Sequence, residues 1–115
     1  MKNRLFFVGS LPHATPAEAI RFVSRHSPHL PFLPQLPDAN PQEDMVAQVV
    51  KGIELGGWDE KCCSSLELFQ NTFNESPQFK VQLAGPFTVS RTLSQPFDKF
   101  VLDWLEFAIR LMRQL

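Results

Sequence analysis

The chain opens its hydrophobic pattern with a continuous apolar run. Residues 5–8 (Leu-Phe-Phe-Val) do not alternate with polar residues, which is typical of a short strand covered on both faces. Gly9 and Ser10 end this run, so the pattern predicts a loop that offers backbone and a hydroxyl to a ligand.

Thr15 and Pro16 then form an N-cap and a first-turn proline, followed by a capping-box acid. Together they predict a helix that starts at Pro16. Its buried face is expected at Ala19, Ile20 and Val23, and its end at Ser27-Pro28.

Two further apolar segments predict strands. Residues 30–37 contain three prolines, each of which lacks a ladder donor, so the hydrogen-bonded part is expected to be short, at 32–33, with Gln35 just past its end. The proline spacing also fits a polyproline II ligand, but the apolar residues between the prolines favour burial. Residues 79–84 form a β-prone run, and residues 85–88 (Gly-Pro-Phe-Thr) repeat the glycine, proline and hydroxyl of the first strand's exit.

Helical spacing predicts three more helices. One runs from residue 42 to about 52, a short one covers residues 64–73, and a long one runs from Pro96 to Leu115. The long helix carries two neighbouring apolar sets, so it is expected to be covered over most of its circumference. The first set is Phe97, Val101, Trp104, Ala108, Leu111 and Leu115; the second is Leu102, Leu105, Ile109 and Met112. Because this pattern continues to Leu115, we expect the helix to be buried against further chain or against another copy.

Composition narrows the choice of protein class. With 115 residues and a net charge of -1, the chain is one domain without the electrostatic signature of a nucleic-acid or anionic-membrane binder. No run approaches the roughly 20 apolar residues of a membrane span, and no cleavable signal is present, so a cytoplasmic protein is expected. Cys62 and Cys63 are adjacent, which disfavours a disulfide between them; weak metal ligation and ordinary buried thiols are the alternatives.

Strand, loop and helix in repeated order predict parallel β/α units. Four motifs occur in sequence: residues 9–13 (Gly-Ser-Leu-Pro-His), 34–37 (Pro-Gln-Leu-Pro), 43–45 (Glu-Asp-Met) and 82–88 (Gln-Leu-Ala-Gly-Pro-Phe-Thr). In order and rough spacing they resemble the cobalamin-independent methionine synthase family. More closely, they are similar to its short methionine-synthase-II-like relatives in the uroporphyrinogen decarboxylase and methionine synthase superfamily.

The resemblance implies an α/β fold. The family forms a (β/α)8 TIM barrel, which needs about 250 residues. This chain would supply about three β/α units, as a single partial barrel domain over residues 1–115. Its open strand edge would invite association, so a homo-oligomer or a missing C-terminal segment is expected.

The family's reaction is methyl transfer from a folate to a thiol that zinc holds as a thiolate. The family's zinc ligands lie on later strands, so the resemblance implies no catalytic residue, no metal ligand and no bound cofactor in this chain; zinc and a methyl-folate are implied for the complete enzyme. Gly9 and Ser10 match the segment that holds the amino-acid substrate, through backbone donors and a hydroxyl. Further candidates for substrate binding are His13, Gln35, Gln82 and Thr88, each of which also has a structural interpretation as a hydrogen-bonding or helix-capping group.

Three functions are therefore expected as alternatives. The first is a substrate-positioning segment of a methionine-synthase-like enzyme that is inactive alone. The second is a non-catalytic α/β protein that forms a homo-oligomer through its strand edge and its C-terminal helix. The third is a fragment of a uroporphyrinogen-decarboxylase-like enzyme, because the superfamily runs both reactions on one fold.

Overall fold

Helices of 7 to 18 residues, joined by extended segments and loops, form residues 9–115, the part of the chain that this computed structural model describes. A single 3-10 turn, Pro41–Glu43, precedes the second helix. The five α-helices are α1 (Pro16–His26), α2 (Met45–Leu55), α3 (Leu66–Thr72), α4 (Pro86–Thr92) and α5 (Phe97–Gln114).

The predicted α/β fold, with three β/α units of a TIM barrel, is wrong, because residues 9–115 contain no sheet. The predicted strand at residues 5–8 lies outside the described residues. The segments predicted as strands at 30–37 and 79–84 form only isolated bridges. Ser10 pairs with Gln35, and Phe32 pairs with Lys80, both in parallel orientation.

Proline and glutamine explain why these bridges do not extend into a ladder. Pro31 lacks the N–H that the rung before the Phe32–Lys80 bridge would need, and the Gln35 N–H that the rung after it would use is bonded to the Gly9 carbonyl. Glutamine side chains form hydrogen bonds between the segments where a sheet would use backbone groups. The Gly9 N–H donates to Gln82 Oε1 at 3.0 Å, and Gln35 Nε2 donates to the Gln82 backbone carbonyl at 3.0 Å. Three extended segments therefore lie side by side, held by side chains as much as by backbone.

Capping residues fix the helix starts. The predicted α1 is confirmed: the Glu18 N–H donates to Thr15 Oγ1 at 3.3 Å, and the predicted apolar face is buried. The second helix begins and ends three residues later than predicted, because Asp44 caps it by accepting from the N–H groups of Val46 and Ala47. It ends at Gly56, whose φ of 73° is the left-handed conformation that favours glycine.

All five α-helices contribute to one buried core, which includes Ile20, Val49, Leu66, Val89 and Phe107. Gly52 lets the Phe107 ring of α5 pack against α2, and the Trp58 ring lies 6.1 Å from that of Phe107. Gln114 joins the last turn of α5 to the loop after α2, since its side-chain amide pairs with the backbone of Trp58. The Trp58 N–H donates to Gln114 Oε1 at 2.9 Å, and Gln114 Nε2 donates to the Trp58 carbonyl at 2.6 Å.

The predicted α5 is confirmed in extent but not in its coverage. Its fully buried residues are Phe100, Phe107 and Leu111. The second apolar set, expected to be covered, is exposed to solvent. Within residues 9–115, no helix is both long enough and apolar enough to cross a bilayer.

Candidate functional site

Three predicted substrate-binding residues come together in one cluster of amides. Gly9, Gln35 and Gln82 lie far apart in sequence, yet Gln82 bonds to both of the others through its side chain and its carbonyl. Gln35 also donates through Nε2 to Gln48 Oε1 at 2.7 Å. We call Gly9, Gln35, Gln48 and Gln82 the amide cluster. Gln35 and Gln48 are 2% and 0% exposed, so the cluster is part of the interior.

Gln48 ties the cluster to the core, and the sequence analysis missed it. The side-chain Nε2 of Gln48 donates to the Cys62 backbone carbonyl at 2.7 Å, and the backbone carbonyl of Gln48 accepts from Trp58 Nε1 at 3.1 Å. The sequence does carry a signal for this role: Gln48 lies beside Val49 on the apolar face of a helix, and a polar side chain there needs buried hydrogen-bond partners.

Gly9 has no room for a side chain. A Cβ at this position would lie 2.9 Å from Gln35 Oε1 and 3.3 Å from the Leu33 carbonyl. Because its N–H is already bonded to Gln82, Gly9 does not offer that donor to a substrate carboxylate. Gln35 Oε1 is buried and has no hydrogen-bond partner, which is uncommon for an interior acceptor.

Ser10 is held between two backbone hydrogen bonds to one residue. The Gln35 N–H donates to the Gly9 carbonyl at 2.8 Å, and the Leu11 N–H donates to the Gln35 carbonyl at 2.8 Å. Ser10 itself is half-buried. Since both bridges in this region are parallel, the loops that follow the three extended segments leave in the same direction. Ser10 thus stands at the start of a shared loop edge.

The other two candidates lie away from the amide cluster's hydrogen bonds. His13 is half-buried with its ring 5.3 Å from that of Phe22, and its Nδ1 is buried without a hydrogen-bond partner. Thr88 is exposed on α4, where its carbonyl accepts from Thr92 Oγ1 at 2.9 Å. The geometry therefore groups Ser10 with Gly9, Gln35 and Gln82, and it leaves Thr88 at the surface.

Glu43 is a second buried polar centre. The sequence pattern fits an acid of a first helical turn, which could also reach a substrate ammonium, but the side chain is 0% exposed. Its Oε1 accepts from the Leu36 N–H at 3.1 Å, and its Oε2 accepts from Asn40 Nδ2 at 3.0 Å and from Ser64 Oγ at 2.6 Å. This carboxylate joins the end of the proline-rich segment to the loop before α3.

Cys62 and Cys63 are free thiols in the core. Burial is the main reason that the pKa of each thiol is raised, and the nearby Glu43 carboxylate raises that of Cys63 further. Raised pKa values oppose the thiolate form that a metal requires. Residues 9–115 also contain no group of three His, Cys, Asp or Glu side chains that could hold an ion. The described residues therefore do not fit the zinc that the resemblance implies for the complete enzyme.

No protein-family model matches this chain, and no curated protein and no solved structure is significantly similar to it. The likeness to the methionine synthase family therefore rests on its four sequence motifs.

Proposed function

We propose that this chain positions a small amino-acid or thiol substrate for methyl transfer, in the manner of a methionine-synthase-like protein. The observation that carries the proposal is the placement of Ser10, whose two neighbours are bonded to Gln35 above a buried amide cluster. A hydroxyl on so constrained a backbone is suited to orient a carboxylate. The chain would supply this positioning function, while the resemblance assigns the activation of the thiol to zinc ligands on the family's later strands.

Charge favours a small zwitterion over the substrate of the decarboxylase alternative. The loop edge is built from residues 9–15, 35–40 and 82–88, and these segments contain no lysine and no arginine. A porphyrinogen ring that carries several carboxylates would call for such cations. A single amino-acid carboxylate can be held by hydroxyl and backbone donors.

The proposed compartment is the cytoplasm. Two free thiols in the core are typical of a protein that folds where thiols stay reduced.

Titration of the 15N-labelled full chain with L-methionine, and separately with L-homocysteine, tests the substrate class. We expect saturable amide shifts confined to Ser10 and its neighbours in the three loop segments. The substitution Ser10→Ala should weaken binding about tenfold, which is the loss of one hydrogen bond to a charged group. A porphyrin tetracarboxylate is the probe for the decarboxylase alternative.

Ser24→Ala is the matched control, because Ser24 is an exposed serine on α1. It should bind both amino acids as the unmodified chain does. The proposal fails if neither amino acid shifts these amides at millimolar concentration, or if Ser10→Ala and Ser24→Ala bind equally well.

A further inference from the structure

One face of α5 presents large apolar side chains to solvent. Leu102, Leu105, Ile109 and Met112 are 69%, 45%, 50% and 77% exposed, and their spacing places them along one side of the helix. We call these four residues the apolar stripe. Single exposed apolar side chains are common, but a continuous row of four marks a contact surface.

The stripe borders an apolar groove. A cavity of about 440 Å³ lies between the extended segment at residues 79–83 and α5, with Phe79, Val81, Leu83, Trp104 and Leu111 in its walls. Met112 belongs both to the stripe and to the groove wall. Apolar side chains that cover the stripe would therefore reach a recess large enough to receive some of them.

The charges along α5 indicate what covers this face. Glu106 and Arg110 pair with each other at 2.8 Å within the helix. The remaining charges are Asp98, Lys99 and Asp103 in the first half, residues 97–106, for a net charge of -1, and Arg113 in the second half, residues 107–114, for a net charge of +1. A helix with this distribution complements a reversed copy of itself and repels a copy in the same direction.

We propose that the apolar stripe binds the same stripe of a second copy of this chain, with the two α5 helices antiparallel. The contact is isologous, so each acidic half faces a basic half twice across a two-fold axis. Antiparallel helix dipoles add to the same preference. At 18 residues the helix is about 27 Å long, which limits the contact to a small interface, of the size typical of weak and reversible association.

Sedimentation equilibrium of the full chain from about 1 to 200 μM tests the pairing. We expect a monomer–dimer equilibrium, and the double substitution Leu102→Glu with Ile109→Glu should weaken it about 100-fold. Leu68→Glu is the matched control, since Leu68 is an exposed leucine on α3. It should dimerise as the unmodified chain does, and circular dichroism should give the same helix content for all three proteins.

Charge reversal tests the orientation. Arg113→Glu makes both halves of α5 acidic and leaves the Glu106–Arg110 pair in place, so the antiparallel dimer should weaken about tenfold and added salt should strengthen it instead of weakening it. Four results would overturn the proposal: a monomer at every concentration, a dimer that survives Leu102→Glu with Ile109→Glu, a dimer that is equally strong after charge reversal, or open-ended aggregation in place of a dimer.

Discussion

A single carboxylate, that of Glu43, organises the bend between the proline-rich segment and α2. It accepts from one backbone N–H, one amide and one hydroxyl, so both of its oxygens are bonded in the interior. Hydrogen bonds of this kind stabilise a buried charge because they replace the water that it has lost. Asn40 also donates to the Lys61 carbonyl, which extends the same network to the next loop.

Glu43→Gln should lower the free energy of unfolding by about 1–3 kcal/mol, because an amide nitrogen would face a donor where the carboxylate now accepts. Urea denaturation followed by tryptophan fluorescence measures the loss. Glu67→Gln, an exposed position on α3, is the control and should change stability by no more than about 0.5 kcal/mol. Equal stability of the Glu43→Gln variant and the unmodified chain would contradict this account of the network.

The two buried thiols predict a pH dependence of stability. Burial raises the pKa of Cys62 and of Cys63, so each thiol loses its proton at a higher pH in the folded chain than in the unfolded chain, where the protons are released above about pH 8.5. The stabilisation is therefore complete below that pH and is lost as pH rises. For Cys63 the loss should be about 1 kcal/mol between about pH 8.5 and about pH 9.5. Urea titrations across this range should give a smaller slope for Cys63→Ala; an unchanged slope would count against the assignment.

At the scale of elements, α2 and α5 pack tightly against each other at Gly52. An added Cβ at Gly52 would lie 2.5 Å from Phe107 Cζ, well inside van der Waals contact. Gly85 is different: a Cβ there meets nothing within 4 Å, and its φ of -68° suits any residue. The packing of α2 against α5 therefore requires a glycine at position 52, whereas position 85 has room for a side chain.

Gly52→Ala should cost about 1–3 kcal/mol of stability through overpacking, although alanine is the better helix former by about 1 kcal/mol. Gly85→Ala should be neutral or slightly stabilising. Thermal or urea unfolding of both variants makes the comparison. Adding Phe107→Leu to Gly52→Ala should recover part of the loss, and a strictly additive double variant would show that the two residues do not compete for the same space.

The sequence predicted helices better than it predicted the arrangement of extended segments. Helix α1 follows from local signals, because Thr15 and Pro16 act within a few residues of each other. Apolar runs at 30–37 and 79–84 predict strands, but a ladder depends on a donor that Pro31 lacks and on the Gln35 N–H, which is bonded to Gly9. The exposure of Met112 was also beyond prediction, since periodicity gives a face without saying what packs on it.

Part of the candidate site could be predicted from local sequence patterns. Gln35 and Gln82 are predicted to bind substrate because each lies near the end of an apolar segment, and the structure brings both to Gly9. Gln48 was missed because its partners are the distant Gln35 side chain and the Cys62 carbonyl, and no local pattern encodes them. Such contacts follow only from the assembled tertiary structure.

At the scale of the whole molecule, polar side chains connect segments that a sheet would otherwise join. The Gly9–Gln82 bond spans 73 residues of sequence, and the Gln35–Gln82 bond spans 47. Bonds of this separation constrain the fold as a whole because they close long loops.

Gln82→Ala should destabilise the fold by about 1–2 kcal/mol, since it removes the acceptor of the buried Gly9 N–H. Gln78→Ala, at an exposed glutamine four residues earlier, should have little effect. Chemical denaturation of the two variants checks the difference. If both variants lose the same stability, the hydrogen bond from Gly9 to the Gln82 side chain does not stabilise the fold.

The hydrogen bond from the Trp58 N–H to Gln114 makes the Trp58 amide proton a reporter of motion at the end of α5. The Trp58 N–H is bonded to a side chain of α5 that is 56 residues away in sequence. It can exchange with solvent deuterium when the Gln114 side chain releases it. The exchange rate of this one proton therefore reports how often the C-terminal end of α5 loses its contact with Trp58.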